Sequence, residues 1–320
     1  MKKNKIKDTG LEVTELSFGT SSLGSMPDTY GYEVPEQRAQ ETLKRFFQGP
    51  VNMLDTSRNY AMGESEKRIG IAIKENGGWP ENFILSTKID RNMETLVLDK
   101  KRTRESVEES LKTLNVNSVD ILFLHDPEYV KDVNDVTKKD GALDELFKIK
   151  EEGLAKAVGL AMGKINIMFP ILKNWDFDVI INHNRYTLLN READEMYSYA
   201  HSKNISIFNA APYAGGVLAK GPSNFKKITY QDVTEEKLAP ARKIEKVCKK
   251  YNVEMGAAAL QFSMKDKRIT STLCGVTSVQ SIEKNLSWAQ TSIPEKFWSE
   301  LLKLPFSTKD PESERIFTPG

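Results

Sequence analysis

Short apolar, β-like runs alternate with helix-like runs along almost the whole chain, and no other feature narrows the fold so far. Residues 16–20 read as a strand and 36–47 as a helix; 52–56 as a strand and 64–75 as a helix; 83–88 as a strand and 103–114 as a helix. The longest apolar run, 119–125, reads as a strand buried on both faces, followed by a helix over 141–151. The pattern continues with strands at 155–161, 179–183, 205–211 and 271–275. Helices at 165–174, 192–200, 235–251, 255–264 and 278–289 separate or follow them. Eight strand–helix units at a spacing of roughly 30–40 residues imply a parallel sheet with its helices outside, and eight suggest closure into a (β/α)8 barrel. No proline- or glycine-rich linker divides the chain, so residues 1–320 are expected to form one domain.

Ahead of the first barrel strand, residues 5–7 and 11–13 flank Asp8, Thr9 and Gly10, a short hairpin signal that fits a plug for the N-terminal mouth. Loops after barrel strands build active sites. Three here are long: 21–34, 127–140 and 212–234. The tail, 304–320, carries charges, prolines and the aromatics Phe306 and Phe317; it either drapes over the mouth or forms a loose end.

Composition removes several function classes. The chain has 46 basic and 45 acidic side chains, a net charge of +1, which gives no general attraction to nucleic acid or to an acidic membrane. The basic start leads into Asp8, Thr9 and Gly10 rather than an apolar segment, so no signal peptide is expected. No apolar run reaches the ~20 residues a spanning helix needs. The 2 cysteines, Cys248 and Cys274, fall in a helix and a strand, which fits a reducing cytoplasm and excludes a cysteine-ligated zinc. His125, Asp126 and Glu128 lie close in sequence, but adjacent strand-end positions point in different directions, so no metal site is expected.

Asp55, Tyr60, Lys88 and His125 carry the chemistry. Asp55, Lys88 and His125 each close an apolar run, and Tyr60 follows Asp55 by five residues. Strand ends of one barrel lie side by side, so an acid, a phenol, an amine and an imidazole can share one pocket and move a proton at a carbonyl or alcohol. Lys88, held by Asp55, is expected to make the Tyr60 phenol more acidic, and a neutral His125 to donate to the substrate oxygen. Of the arginines, Arg58 and Arg91 are open between substrate binding and strand capping, and Arg185 is read as structural. Trp79, Trp175, Trp288 and Trp298 read as packing residues, whereas Tyr30, Tyr129, Tyr213 and Tyr230 sit in rim loops where a flat side chain can reach a substrate.

These four residues resemble the catalytic signature of the aldo-keto reductase family. Residues 63–70 are similar to the family's helix start after its catalytic tyrosine, 11–20 to its opening strand, and 215–218 to its loop after the seventh strand. The resemblance covers residues 5–290. It implies a barrel that binds an extended nicotinamide dinucleotide, NADP(H) or NAD(H), with Tyr60 as proton donor or acceptor. Residues 158–163, 182–189 and 209–213 resemble the sugar-oxidising branch that includes L-fucose and D-threo-aldose 1-dehydrogenases and pyridoxal 4-dehydrogenase.

By the same resemblance, Gly19, Thr20, Asp55, His183, Ala211 and Gly215 contact the cofactor near its reactive end. Gly275, Thr277, Ser281 and Asn285 contact its adenosine end, where a glycine-bearing loop enters a helix N-terminus. The family's frequent arginine for a 2′-phosphate is missing, and Thr277 and Ser281 occupy the candidate positions, so the sequence leaves NAD and NADP both open. The implied activity is hydride transfer with an aldose. A broad aldehyde or ketone reductase and a cofactor-sensing binding protein, like potassium-channel β subunits, are the alternatives. A small-molecule substrate is expected; whether the chain is a monomer or a homo-oligomer stays open.

Overall fold

The computed structural model describes residues 1–225 and 227–315. Eight parallel strands close a barrel in the order β12-β3-β4-β5-β6-β7-β8-β9. They are β3 (Leu16–Gly19), β4 (Met53–Asp55), β5 (Ile84–Ile89), β6 (Val119–His125), β7 (Ala155–Met162), β8 (Val179–His183), β9 (Ser206–Ala210) and β12 (Ser271–Gly275). Each expected strand is present: β6, β8 and β12 keep the expected bounds, and the others shift by a residue at one or both ends. Ala211 leaves β9 because its backbone turns left-handed, with φ 55°.

Side-chain parity sorts the two sides of the barrel wall. Ile121 and Phe123 of β6, Val179 and Ile181 of β8, Phe208 of β9 and Leu273 of β12 fill the interior. The intervening residues Leu122, Leu124, Ile180, Ile207 and Cys274 pack outward against the helices. Gly159 of β7 pairs with Phe123, and a Cβ there would collide with the Phe123 ring and the Val179 carbonyl oxygen. Glycine at this position gives the interior phenyl ring its space.

Helix ends follow local capping chemistry. The helix expected from residue 103 begins earlier, at Lys100, because the Asp99 carboxylate accepts the Arg102 N–H at 2.8 Å and caps it. The helix expected from 192 begins at Asp194. The preceding turn is committed elsewhere: the Asn190 side chain accepts the Glu192 N–H and donates to the Lys309 carbonyl.

The hairpin pairs β1 (Lys3–Lys5) with β2 (Glu12–Thr14), so its strands lie further from the turn than the sequence suggested. The Ile6 N–H donates to the Leu11 carbonyl at 2.9 Å and closes a wider turn. Ile6 and Val13 are fully buried and join Met53, Ile84 and Phe208, so the hairpin does stopper the N-terminal end. Of the long loops, 212–234 carries the two-residue strands β10 (Lys227–Ile228) and β11 (Gln231–Asp232).

The tail drapes rather than dangles. The Ser307 N–H donates to the Leu189 carbonyl at 2.9 Å, and the Pro311 carbonyl accepts from Thr229 Oγ1 at 3.1 Å. Phe306 is half exposed, and Phe317 lies outside the described residues.

Gly159→Ala is expected to lower stability by about 1–3 kcal/mol through overpacking of a rigid interior. A urea unfolding midpoint equal to wild type would show that the wall yields at this point.

Candidate active site

The same parity aims the chemistry. Met53 and Asp55 of β4, Ile84, Ser86 and Lys88 of β5, and Ile121, Phe123 and His125 of β6 alternate with outward residues, so the last inward position of each strand is polar. Neighbouring registers bring those ends together: Asp55 lies opposite Ser86, and Lys88 opposite Phe123.

Lys88 Nζ donates to Asp55 Oδ2 at 2.7 Å, to the Thr56 carbonyl at 2.6 Å and to Tyr60 Oη at 3.1 Å. The ammonium has three protons, so these partners account for all of them. Ser86 Oγ donates to the other Asp55 oxygen at 2.9 Å. The Lys88 and Asp55 side chains are each 2% exposed, so the pair is shut away from water and fixed in direction.

Tyr60 begins a tight turn in which Ala61 and Met62 both adopt left-handed backbone, φ 50° and 54°. Two such non-glycine residues in succession are costly and concentrate at functional sites. Because Lys88 donates into Tyr60 Oη, the phenol's own proton is left to point elsewhere. The sequence suggested that the neighbouring cation would make this phenol acidic. The structure shows the reverse for the site by itself. Burial pushes the Tyr60 phenol well above its ordinary range, and the Asp55 carboxylate adds to the push. With Asp55 against the ammonium, the cation is largely balanced before Tyr60 feels it. Tyr60 is therefore held as a protonated donor.

His125 sits against Tyr60, ring centroids 5.8 Å apart. Its Nδ1 lies 2.6 Å from Asp90 Oδ1, and its Nε2 lies 3.7 Å from Asp126 Oδ2. Asp90, two residues beyond Lys88 on the same parity, is fully buried. Ser57 Oγ donates to its second oxygen, as does the Asn59 N–H at 2.9 Å. Burial by itself works against the imidazolium, but Asp126 and Asp90 outweigh it, and the His125 pKa is raised. Burial works to raise the Asp90 pKa, and the charge and hydrogen bond of His125, with Ser57 and Asn59, bring it below the usual carboxylate value.

A cavity of about 470 Å³ opens at the C-terminal face and is lined by Asp55, Tyr60, Lys88 and His125. Gly19, His183, Ala211 and Gly215 share its wall, as do Gly275, Thr277, Ser281 and Asn285 beyond β12. Thr20 does not reach it: the side chain is fully buried and its hydroxyl donates to the Asp55 carbonyl at 3.0 Å. Thr20 supports the end of β4 instead of facing a ligand. Tyr30, Tyr129, Tyr213 and Tyr230 all line the cavity, and so does Trp288, which packs against Tyr213.

A nicotinamide dinucleotide suits this cleft. Lys220 and Lys227 add cations to the lining of the same cleft, and a pyrophosphate requires such charge. A Cβ on Gly275 would meet nothing within 4 Å, so the backbone there is open to a ligand.

The tail completes the wall, a role the sequence left unassigned. Glu312 accepts from Asn184 Nδ2 at 2.7 Å and from Arg185 Nη1 at 2.8 Å, and Asp310 accepts from Arg185 Nη2 at 2.6 Å. Arg185 is thus a structural anchor for the tail, in line with the structural role its sequence position suggests. Against the cost of burial, the neighbouring His183, Asn184 and Arg185 hold the Glu312 carboxyl far below its ordinary range. Arg315 pairs with Glu312 and places its guanidinium 5.1 Å from the Tyr230 ring centre, inside the cavity wall. His183 faces the cleft while its Nδ1 lies 3.4 Å from Glu312.

A closed parallel barrel with an acid, amine, phenol and imidazole at its C-terminal mouth defines a barrel oxidoreductase site. The model of the Aldo/keto reductase family matches residues 15–304, and the chain belongs to that family. It is an NAD(P)-dependent oxidoreductase. The chain is 31% identical to L-galactose dehydrogenase of Arabidopsis thaliana, over 88% of this chain and 85% of that one. It is 25% identical to pyridoxal 4-dehydrogenase of Microbacterium luteolum, over 93% and 96% of the two chains. It is 26% identical to D-threo-aldose 1-dehydrogenase of a Pseudomonas species, over 91% and 94%. An aldo-keto reductase of Bacillus halodurans, solved in its holo form, shares the fold with a TM-score of 0.80 at 21% identity, covering 99% and 100% of the chains.

Tyr60→Phe keeps the ring but removes the proton-bearing oxygen. Turnover is expected to fall by roughly 100-fold or more. Cofactor affinity, read by quenching of protein fluorescence, is expected to stay near wild type. Unchanged turnover would remove Tyr60 from the chemistry.

Proposed function

We propose that this oxidoreductase moves a hydride between a nicotinamide cofactor and C1 of an aldose, acting as an aldose 1-dehydrogenase. The observation that carries the chemistry is the buried Lys88–Asp55 pair with Tyr60 Oη at its edge. The sugar assignment draws on the relatives named as galactose and aldose dehydrogenases. The phenols of Tyr30, Tyr129 and Tyr230 around the cavity agree with it, since they offer both a flat apolar face and a hydroxyl.

In this reading Tyr60 gives its outward proton to the carbonyl oxygen during reduction and takes the hydroxyl proton during oxidation. Lys88 fixes the direction of Tyr60 Oη, Asp55 fixes Lys88, and His125 orients the substrate oxygen. The bound nicotinamide supplies or accepts the hydride. Residues 1–320 act as one domain in this account, on a small-molecule substrate. The buried free thiols of Cys248 and Cys274 agree with a reducing cytoplasm, and no described helix is long and apolar enough to cross a membrane.

For the cofactor we favour NAD(H). The Ser281 hydroxyl accepts the Thr277 and Ser278 N–H groups at 2.9 and 3.0 Å and donates to the Ser278 carbonyl at 2.7 Å. It is therefore fully committed to capping its own helix. Lys284 Nζ lies 2.6 Å from Glu254. A 2′-phosphate would have to displace these partners, whereas a ribose hydroxyl would not.

Fluorescence titration is expected to show tighter binding of NADH than of NADPH; the opposite order would overturn the cofactor assignment. With the preferred oxidised cofactor, absorbance of the reduced nicotinamide is expected to grow with at least one member of an aldose panel. A simple aromatic aldehyde should be reduced more slowly than that sugar is turned over. Faster aromatic aldehyde reduction would favour a broad carbonyl reductase, and tight cofactor binding without turnover would favour a sensing role.

A further inference from the structure

We propose that Asp90, a positioning residue, holds His125 as an imidazolium whose Nε2–H serves as a charged hydrogen-bond donor to the substrate oxygen. The inference rests on the reading above, in which that oxygen sits beside Tyr60 and His125.

The geometry leaves few alternatives. Asp90 Oδ1 lies 2.6 Å from His125 Nδ1, a separation that requires a shared proton between them. The second Asp90 oxygen already accepts from Ser57 Oγ and from the Asn59 N–H, so the carboxylate is served from both sides as an anion. The proton in the contact therefore belongs to Nδ1. A neutral ring with its proton on Nδ1 carries none on Nε2, and such a ring could accept from the substrate but not donate. It would also turn a lone pair toward Asp126 Oδ2, 3.7 Å from Nε2. Asp126 has its other oxygen buried without a hydrogen-bond partner. A doubly protonated ring satisfies Asp90 at one edge and faces Asp126 and the cleft with an N–H at the other.

The charged groups around the ring come from three elements. Asp90 and Lys88 project from the end of β5, Asp126 follows β6, and Ser57 and Tyr60 belong to the loop after β4. Lys88 opposes the positive charge, but its own charge is met by Asp55 at 2.7 Å. Two carboxylates against one balanced ammonium favour the imidazolium. The donor then stabilises negative charge that grows on the substrate oxygen as hydride reaches the carbonyl carbon, while Tyr60 delivers the proton. The sign for activity follows. Reduction should be supported below the raised His125 pKa and should fade as pH climbs through it.

The test uses the full chain labelled with nitrogen-15 histidine. The 3 histidines are assigned by comparison with His125→Gln, His183→Gln and His201→Gln. At pH 7.5 both ring nitrogens of His125 are expected to report protonation. A neutral ring with a bare Nε2 at that pH would overturn the proposal. Asp90→Asn keeps the shape and removes the anion. It is expected to lower the His125 pKa by about 1 unit or more and to move the alkaline limb of kcat/KM for reduction by the same amount. Slower turnover with the limb and the titration unmoved would reduce Asp90 to a structural support and overturn the proposal. If Asp90→Asn does not fold, the wild-type resonance measurement decides alone. That measurement needs no turnover. A charged His125 in a protein inactive toward every aldose would count against the proposed reaction and not against the charge.

Discussion

The ion pair of Lys88 and Asp55 is the interaction on which the rest of the site depends. Burying two charges costs several kcal/mol per ion before any attraction is counted. The structure offsets that cost with geometry. Each Lys88 proton has an oxygen within 3.1 Å, and both Asp55 oxygens are engaged. Removing either partner would leave an unmatched charge in the barrel mouth, at a cost of about 3–5 kcal/mol. The barrel must therefore set the ends of β4 and β5 in one register, because a shift by one residue would turn Asp55 or Lys88 outward into the helices. Function and fold are tied at this point.

A second layer of polar groups surrounds the first. Asp90 sits behind His125, and Ser57 and the Asn59 N–H sit behind Asp90. Two strands further round the barrel, Glu312 of the tail sits behind His183 and Arg185. In both places a cleft-lining imidazole is held by a buried carboxylate. Pre-set side chains of this kind need little rearrangement when charge develops nearby. Left-handed backbone at Ala61, Asp126, Asn184 and Ala211 belongs to the same pattern. Each of these residues follows a barrel strand and re-aims a side chain or main-chain group at the rim.

Much of this was legible in the sequence because parity and alternation are local properties. The eight strands, their order as parallel units, and the meeting of Asp55, Tyr60, Lys88 and His125 all follow from where apolar runs stop. Asp90 could have been found by the same rule, since two residues beyond Lys88 lies on the same face. It was hidden because the apolar run ends before it. The charge states were not legible. Whether Lys88 acidifies Tyr60 depends on Asp55 standing against the ammonium, and the protonation of His125 depends on carboxylates from two different segments. Thr20 shows the limit of carrying over a motif. Its position matches a cofactor contact, but its hydroxyl bonds the Asp55 carbonyl and never reaches the cleft. The tail was open between two readings because its anchors, Asn184, Arg185 and Thr229, lie more than 80 positions away in sequence.

The hairpin that stoppers the N-terminal end has a consequence for traffic. With Ile6 and Val13 sealed into the floor, the described residues leave the C-terminal mouth as the way to Tyr60 and Lys88. Cofactor, substrate and displaced water then pass the same threshold. Whatever seats deepest must arrive before the others and depart after them. The pace of a catalytic cycle can then be governed by the frame of that doorway, built from the β10–β11 loop and the anchored tail, as much as by the proton held on Tyr60.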